Sequence, residues 1–145
     1  MTLTATLRRA AGPLVLLAAL CCCACGDGRP PVYPVTGQVL ANGRPAKGAT
    51  VTFHPVNDTP ERYRPTGQVD EQGNFRLTTF AEGDGAPAGD YRVTVSWYLA
   101  TRQSPAEDPV PVNYLPPRYG NPETSGLKAT VSGGANTIDP LRLSR

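Results

Sequence analysis

Prolines and glycines are spread through this chain so densely that long helices have little room to form. The 145 residues include 16 prolines and 15 glycines, and a proline inside a helix removes a hydrogen bond and clashes with the preceding turn. Beyond residue 25, no window keeps a 3.6-residue apolar period without such a breaker. Apolar residues fall instead in short runs rich in Val, Thr, Tyr and Phe that alternate with polar residues. This pattern predicts an all-β protein, a sandwich or a barrel.

Seven segments carry the strand pattern, and turn residues separate them. The segments are residues 35–40, 49–54, 66–69, 74–79, 90–99, 127–131 and 137–143. Asn42-Gly43 predicts a hairpin turn because both residues tolerate positive φ. Asp70 and Gly73 predict a second turn, with the aspartate as its cap. Six prolines among residues 100–122 predict a long extended connection.

The first 24 residues read as an export signal. Arg8-Arg9 precede an apolar run of about 11 residues, whereas a membrane-spanning helix needs roughly 20. A basic start, a short apolar middle and a small residue before a cleavage site are typical of a secretory signal peptide. We therefore expect residues 1–24 to be removed.

Cysteines follow the apolar run at positions 21, 22, 23 and 25. This ending resembles the lipobox of bacterial lipoproteins, in which a cysteine is acylated and becomes the new N-terminus. Cys25 follows the small residue Ala24 and is the predicted lipidation site, with the neighbouring cysteines as alternatives. Adjacent cysteines lack the spacing of metal ligands, so no zinc site is predicted here. The expected location is the cell envelope, on the exported side, held to a membrane by lipid.

The charge of the chain changes with that cleavage. Of 14 basic residues, Arg8 and Arg9 leave with the signal, so 12 basic residues then face 12 acidic ones. No basic stripe remains that could neutralise phosphates, and nucleic-acid binding is not expected. We divide the remaining chain into a flexible tether, residues 25–34, and one domain, residues 35–145.

Three blocks of the domain resemble carboxypeptidase regulatory-like domains. The first reads VTGQVLANGRPAKGATVTF from position 35, the second TGQVDEQGNFRL from position 66, and the third PAGDYRVTV from position 87. The resemblance implies a transthyretin-like (prealbumin-like), seven-stranded Greek-key β-sandwich with Phe53, Phe75, Tyr91 and Val93 in its core. Residues 119–127 are similar to a segment of small bacterial envelope lipoproteins. These motifs are structural, so they carry no catalytic residue, and fold alone does not define function.

Residues with catalytic or metal-binding chemistry are sparse. His54 is the only histidine, no G-x-S-x-G motif occurs, and we predict no catalytic residue, metal or cofactor. Glu82, Asp84 and Asp90 surround a glycine-rich loop that offers oxygen atoms to calcium, but the calcium-loop spacing is absent. We interpret the loop as solvated and His54 as a surface residue.

Aromatic residues near the proline-rich connection offer the remaining candidate site. Tyr98, Tyr114 and Tyr119 are predicted ligand contacts, since exposed rings stack on sugars or anchor protein partners. Trp97 shares the inward face of its strand and is expected in the core. The leading hypothesis is a membrane-anchored, non-enzymatic envelope lipoprotein with a structural or adhesive β-sandwich. The alternatives are a carbohydrate- or peptide-binding module and an accessory subunit of a secreted enzyme.

Overall fold

A computed structural model describes residues 28–57, 63–101, 108 and 110–144. The predicted signal and the predicted lipidation site Cys25 lie outside these residues. No helix of the described part is long and apolar enough to cross a membrane.

The described chain is all-β, with thirteen short strands and one short 3-10 helix. The strands are β1 (Val32–Tyr33), β2 (Val35–Ala41), β3 (Arg44–Pro45), β4 (Thr50–Pro55), β5 (Thr66–Gln68), β6 (Asn74–Arg76), β7 (Ala86–Pro87), β8 (Gly89–Ser96), β9 (Tyr98–Thr101), β10 (Val110–Asn113), β11 (Leu127–Val131), β12 (Asn136–Thr137) and β13 (Leu141–Leu143). The 3-10 helix spans Pro117–Gly120.

These strands form two main sheets and two small ribbons. The first sheet has the order β11-β8-β4-β5 and is antiparallel throughout. The second is built on β2, which pairs in parallel with β12 and β13 and antiparallel with β3 and β6. The ribbons are β1–β7 and β9–β10.

One apolar core joins residues from both main sheets. Phe53 of β4 has its ring centroid 5.5 Å from that of Tyr91 in the first sheet and 6.4 Å from that of Phe75 in the second. Phe53 and Val93 face each other across β4 and β8, and both are completely buried. The core positions predicted at Phe53, Phe75, Tyr91 and Val93 are confirmed, and the arrangement of several sheets is consistent with a β-sandwich.

The predicted turns form as expected. Asn42 and Gly43 both have positive φ, 50° and 78°, and connect β2 to β3. The Asp70 carboxylate accepts hydrogen bonds from the backbone N–H groups of Gln72 and Asn74, at 2.9 and 2.8 Å. Gly73 supplies the positive φ of 88° that closes this turn. Local turn chemistry therefore determines both turns.

The strand prediction is wrong at several places, and tertiary contacts explain the main ones. The predicted strand 74–79 ends at Arg76. The predicted strand 90–99 divides into β8 and β9 because the backbone N–H of Trp97 donates to the Asn113 side chain instead of a neighbouring strand. The proline-rich connection contains β10 and the 3-10 helix. The last predicted strand divides into β12 and β13, which lie parallel to β2 rather than in a hairpin.

The β1 strand lies inside the segment predicted as a tether. It pairs with β7, and the Tyr33 side chain packs against the core. Cross-strand pairing and this aromatic contact offset the cost of ordering so short a strand. The ordered part of the domain thus begins before residue 35.

Strand β2 runs from one end of the domain to the other. The β1 end holds β1, the loop 79–85 and the turn 132–135, because Gly85 packs under the backbone of Tyr33 and Asn136 donates to the Pro34 carbonyl. The Trp97 end holds the Asn42-Gly43 turn and Trp97 itself. Six residue steps of β2, at about 3.3 Å each, place these ends roughly 20 Å apart.

Candidate functional site

A small aromatic cleft opens at the Trp97 end of the domain. Its volume is about 380 Å³, and its lining residues are Ala41, Asn42, Arg44, Trp97, Tyr114 and Leu115. The turn between β2 and β3 supplies one wall, and the segments that flank β9 and β10 supply the other. Since ligand sites are concave and combine apolar surface with a few polar groups, this cleft is our candidate site.

Two rings form the apolar wall of the cleft, and hydrogen bonds hold them. The Trp97 and Tyr114 ring centroids lie 5.7 Å apart at 66°, an edge-to-face contact. The indole Nε1 of Trp97 donates to the Lys47 carbonyl at 2.9 Å, and the backbone N–H of Tyr114 donates to the Trp97 carbonyl at 2.7 Å. The wall is therefore rigid before any ligand arrives, which lowers the entropy cost of binding.

Polar groups face this wall from the hairpin turn. Asn42 carries an amide, and Arg44 carries an exposed guanidinium that makes no ion pair with another described residue. Aromatic faces pack on the apolar face of a sugar ring or side chain, while amides and guanidinium groups bond to its hydroxyl or carboxyl oxygens. The cleft has the chemistry to hold a small polar ligand with one apolar face.

Of the six residues that line the cleft, only Tyr114 is among the ligand contacts that the sequence predicts. The sequence predicts only a turn at Asn42, and strand parity predicts Trp97 in the core. The structure leaves Trp97 half-buried, packed against the core on one side and lining the cleft on the other. The alternation of inward and outward side chains along β8 does not extend to Trp97, because the strand ends one residue earlier.

The ribbon β9–β10 extends the apolar surface beside the cleft. Tyr98 is 60% exposed and Tyr114 is 41% exposed. Val110 and Val112 of β10 are also exposed, and the ribbon pairs with no other strand in the described ranges. Tyr98 and Tyr114 are thus both accessible, and of these two only Tyr114 lines the cleft.

Tyr119 belongs elsewhere, and its prediction as a ligand contact needs correction. Its side chain is only 5% exposed. Its phenolic oxygen accepts hydrogen bonds from the Ser144 backbone N–H at 3.0 Å and the Arg118 guanidinium at 3.1 Å. Arg118 also lies over the Tyr119 ring, 4.7 Å from its centroid. Tyr119 therefore ties the end of the described chain to the 3-10 helix and has no open face for a ligand.

The buried phenol of Tyr119 should titrate unusually early. Hydrogen bonds from the Ser144 side chain and backbone, assisted by Arg118 and opposed by burial, lower the pKa of Tyr119 to about 8. Because the folded pKa lies below the ordinary value, this group's contribution to stability is complete above about pH 10 and is lost as the pH falls through about 8. In a spectroscopic titration we expect phenolate absorbance from one tyrosine near pH 8, and Tyr119→Phe should remove it. Persistence of that early phase in the variant would contradict the assignment.

His54 is paired with a threonine on the neighbouring strand. Its Nε2 lies 2.9 Å from the Thr94 hydroxyl on the paired strand β8, and the residue is half-buried. Among the residues that the structure describes, no group of three His, Cys, Asp or Glu side chains could hold a metal ion.

The glycine-rich loop also uses its acidic oxygens internally. The Asp84 carboxylate accepts hydrogen bonds from the backbone N–H groups of Thr79, Phe80 and Ala81, at 2.7, 2.9 and 2.9 Å. Burial raises the pKa of Asp84, but these backbone bonds outweigh it, so the pKa lies below its ordinary value. Asp90 accepts a hydrogen bond from the Thr130 hydroxyl at 2.6 Å. These two carboxylates have structural partners.

A wider groove of about 1320 Å³ crosses the outer side of β2, β5 and β6. Side chains with hydroxyl or amide groups dominate its lining, among them Thr36, Gln38, Gln68 and Asn74. The one aromatic residue in its lining, Phe75, is buried in the core. The aromatic cleft is the stronger candidate because exposed rings supply more contact energy than polar groups that water already bonds.

Comparisons with known proteins show no family for this chain. No protein-family model matches it, and no curated protein matches its sequence. Among solved structures, it is similar to a 9R-lipoxygenase from Cyanothece PCC8801, with 17% identity and a TM-score of 0.41, over 78% of this chain and 16% of that one. It is also similar to a DUF3823 family protein from Parabacteroides merdae, with 14% identity and a TM-score of 0.38, over 79% of this chain and 47% of that one.

Proposed function

We propose that this chain is a membrane-anchored, non-enzymatic envelope lipoprotein whose β domain makes structural or adhesive contacts. The observation that carries the proposal is the leader that ends in Ala24-Cys25. Its positive start, its short apolar run and its cysteine ending fit lipoprotein processing. The domain that the anchor carries is, in this proposal, a seven-stranded Greek-key sandwich of the transthyretin-like type.

The energetics of acylation support a stable anchor. Each buried methylene of an attached chain contributes about 0.8 kcal/mol, and two or more chains are needed for lasting attachment. Lipoprotein processing supplies that number of chains. The partners of the chain would be the membrane, through its lipid, and a glycan or protein at the exposed surface.

The shape of the domain supports a role in outward contacts. The N-terminal segment enters at the β1 end, and the aromatic cleft lies at the other end, roughly 20 Å away along β2. A chain anchored through Cys25 would hold its cleft away from the point of attachment.

Palmitate labelling tests the anchor directly. We expect cells that express the chain to incorporate radiolabelled palmitate into it, and the variant Cys25→Ser to lose the label and leave the membrane fraction. Cys21→Ser is the matched control, since it changes a cysteine that the signal peptidase would remove. Label that survives Cys25→Ser would refute the assignment of the site.

A second candidate function is carbohydrate or peptide binding at the aromatic cleft. The pre-arranged Trp97–Tyr114 wall opposite Asn42 and Arg44 favours it. Hot spots of recognition are typically aromatic or arginine side chains in partly enclosed pockets.

A glycan and peptide array tests this binding function on the full chain. We expect Tyr114→Ala to weaken binding of a captured ligand about tenfold or more, which corresponds to roughly 1.4 kcal/mol, with a smaller loss for Tyr98→Ala. Tyr63→Ala is the control, because this tyrosine is also exposed but packs on Phe80 in the loop at the β1 end. Equal binding by wild type and Tyr114→Ala would exclude the cleft as the site.

A further inference from the structure

The β1 end of the domain carries a patch that the proposed function has not used. Phe80 lies at its centre, with the Arg29 guanidinium 5.1 Å from the ring centroid. Tyr63 contacts the same ring edge-to-face, with centroids 4.6 Å apart. Arg29 is exposed, Tyr63 is 40% exposed and Phe80 is half-buried. We call these three residues the Phe80 patch.

The loop under the patch is fixed to the domain. The Asp84 carboxylate binds three successive backbone N–H groups, including that of Phe80, and the Thr79 hydroxyl donates to the Gly85 carbonyl at 2.6 Å. The Asp84 charge is thereby turned toward the backbone. Among the described residues close to the patch in sequence, Arg29, Arg64 and Glu82 are exposed and charged.

The covalent chain places the patch close to the predicted anchor. Four residue steps separate Cys25 from Arg29, and an extended chain spans at most about 3.5 Å per residue. The lipidated cysteine therefore lies no more than roughly 14 Å along the chain from the first residue of the patch. The pairing of β1 with β7 prevents the tether from extending as far as residue 34.

We propose that the Phe80 patch rests on the headgroup layer of the membrane that holds Cys25. This inference depends on the lipid anchor of the proposed function. The Arg29 guanidinium binds lipid phosphate, and the Tyr63 ring occupies the interface, where tyrosine is enriched in membrane proteins. The anchor makes this contact intramolecular, so a weak interaction suffices to populate it. The domain then stands on its β1 end and directs the aromatic cleft away from the bilayer.

Spin labels at the two ends of the domain test this orientation. We take the full acylated chain in vesicles of phosphatidylcholine and phosphatidylglycerol and introduce Ala81→Cys at the patch or Lys47→Cys at the Trp97 end. Both positions are exposed, and all four native cysteines lie at or before residue 25, so the new thiol of the processed chain is the only one left to label. We expect the label at position 81 to collide preferentially with oxygen dissolved in the bilayer, and the label at position 47 to collide with a water-soluble nickel complex.

The outcomes separate the orientation from the anchor. Adding Arg29→Glu to the Ala81→Cys chain should lower the oxygen preference, because a carboxylate repels lipid phosphate. If both labels report water equally while the chain stays with the vesicles, the orientation is refuted and the anchor stands. If the chain does not stay with the vesicles, the anchor itself is refuted, and the inference with it.

Discussion

Gly85→Ala should destabilise the domain more than the replacement by alanine of any other described glycine. A Cβ at this position would overlap the Tyr33 carbonyl, and the backbone φ of +100° is one that residues with side chains rarely adopt. Overpacking against rigid backbone costs about 1–3 kcal/mol, and a strained φ adds a comparable amount. We expect a loss of about 3 kcal/mol or more in the free energy of unfolding, and a fall in Tm of roughly 10 °C or more.

Gly120→Ala is the matched control for this experiment. A Cβ at position 120 meets no atom within 4 Å, and the residue has no positive φ. We expect its unfolding free energy to stay within about 0.5 kcal/mol of wild type. Equal stability of Gly85→Ala and Gly120→Ala in chemical denaturation would contradict the packing of the loop 79–85 beneath β1.

Phe53→Ala should produce the second large loss of stability. Phe53 is completely buried and contacts aromatic rings of both main sheets, Tyr91 in the first and Phe75 in the second. Its removal leaves a cavity that neither sheet can close, since each is held by its own backbone hydrogen bonds. Truncation of a buried phenylalanine costs about 3–5 kcal/mol, and we expect a shift of the denaturation midpoint of that size.

Tyr98→Ala provides the comparison for the core variant. It removes a side chain of similar size that is 60% exposed, so little buried contact is lost. We expect a change below about 1 kcal/mol. If Phe53→Ala were as mild as Tyr98→Ala, the two sheets would not share the core described above.

Local chemistry made much of the fold predictable. The Asn42-Gly43 turn and the Asp70 cap are decided by residues within five positions of each other, so the sequence alone specifies them. The core at Phe53 and Val93 was also predictable, because strict alternation leaves one buried face on each strand.

Long-range contacts account for what the sequence did not show. The break of the strand at Trp97 depends on the hydrogen bond from its backbone N–H to the Asn113 side chain, 16 residues away. The pairing of β1 with β7 and the parallel placement of β13 beside β2 likewise depend on residues far apart in the chain. No local propensity signals such pairings.

The candidate site was predictable only in part. Tyr98 and Tyr114 are exposed as the aromatic pattern suggested, whereas Tyr119 is buried by its contacts with Arg118 and Ser144. Tyrosine fits both settings, since its ring packs in a core while its hydroxyl bonds to a partner. Arg44 and Asn42 entered the site only because the β2–β3 turn brings them opposite Trp97.

The most direct test of the lipid anchor is the mass of the N-terminal peptide from the chain purified out of membranes. We expect a peptide that begins at Cys25 and carries the added mass of the lipid on that residue. An N-terminal peptide without lipid would contradict the lipid anchor on which the proposed function depends, and a lipidated peptide that begins at another cysteine would contradict the assignment to Cys25.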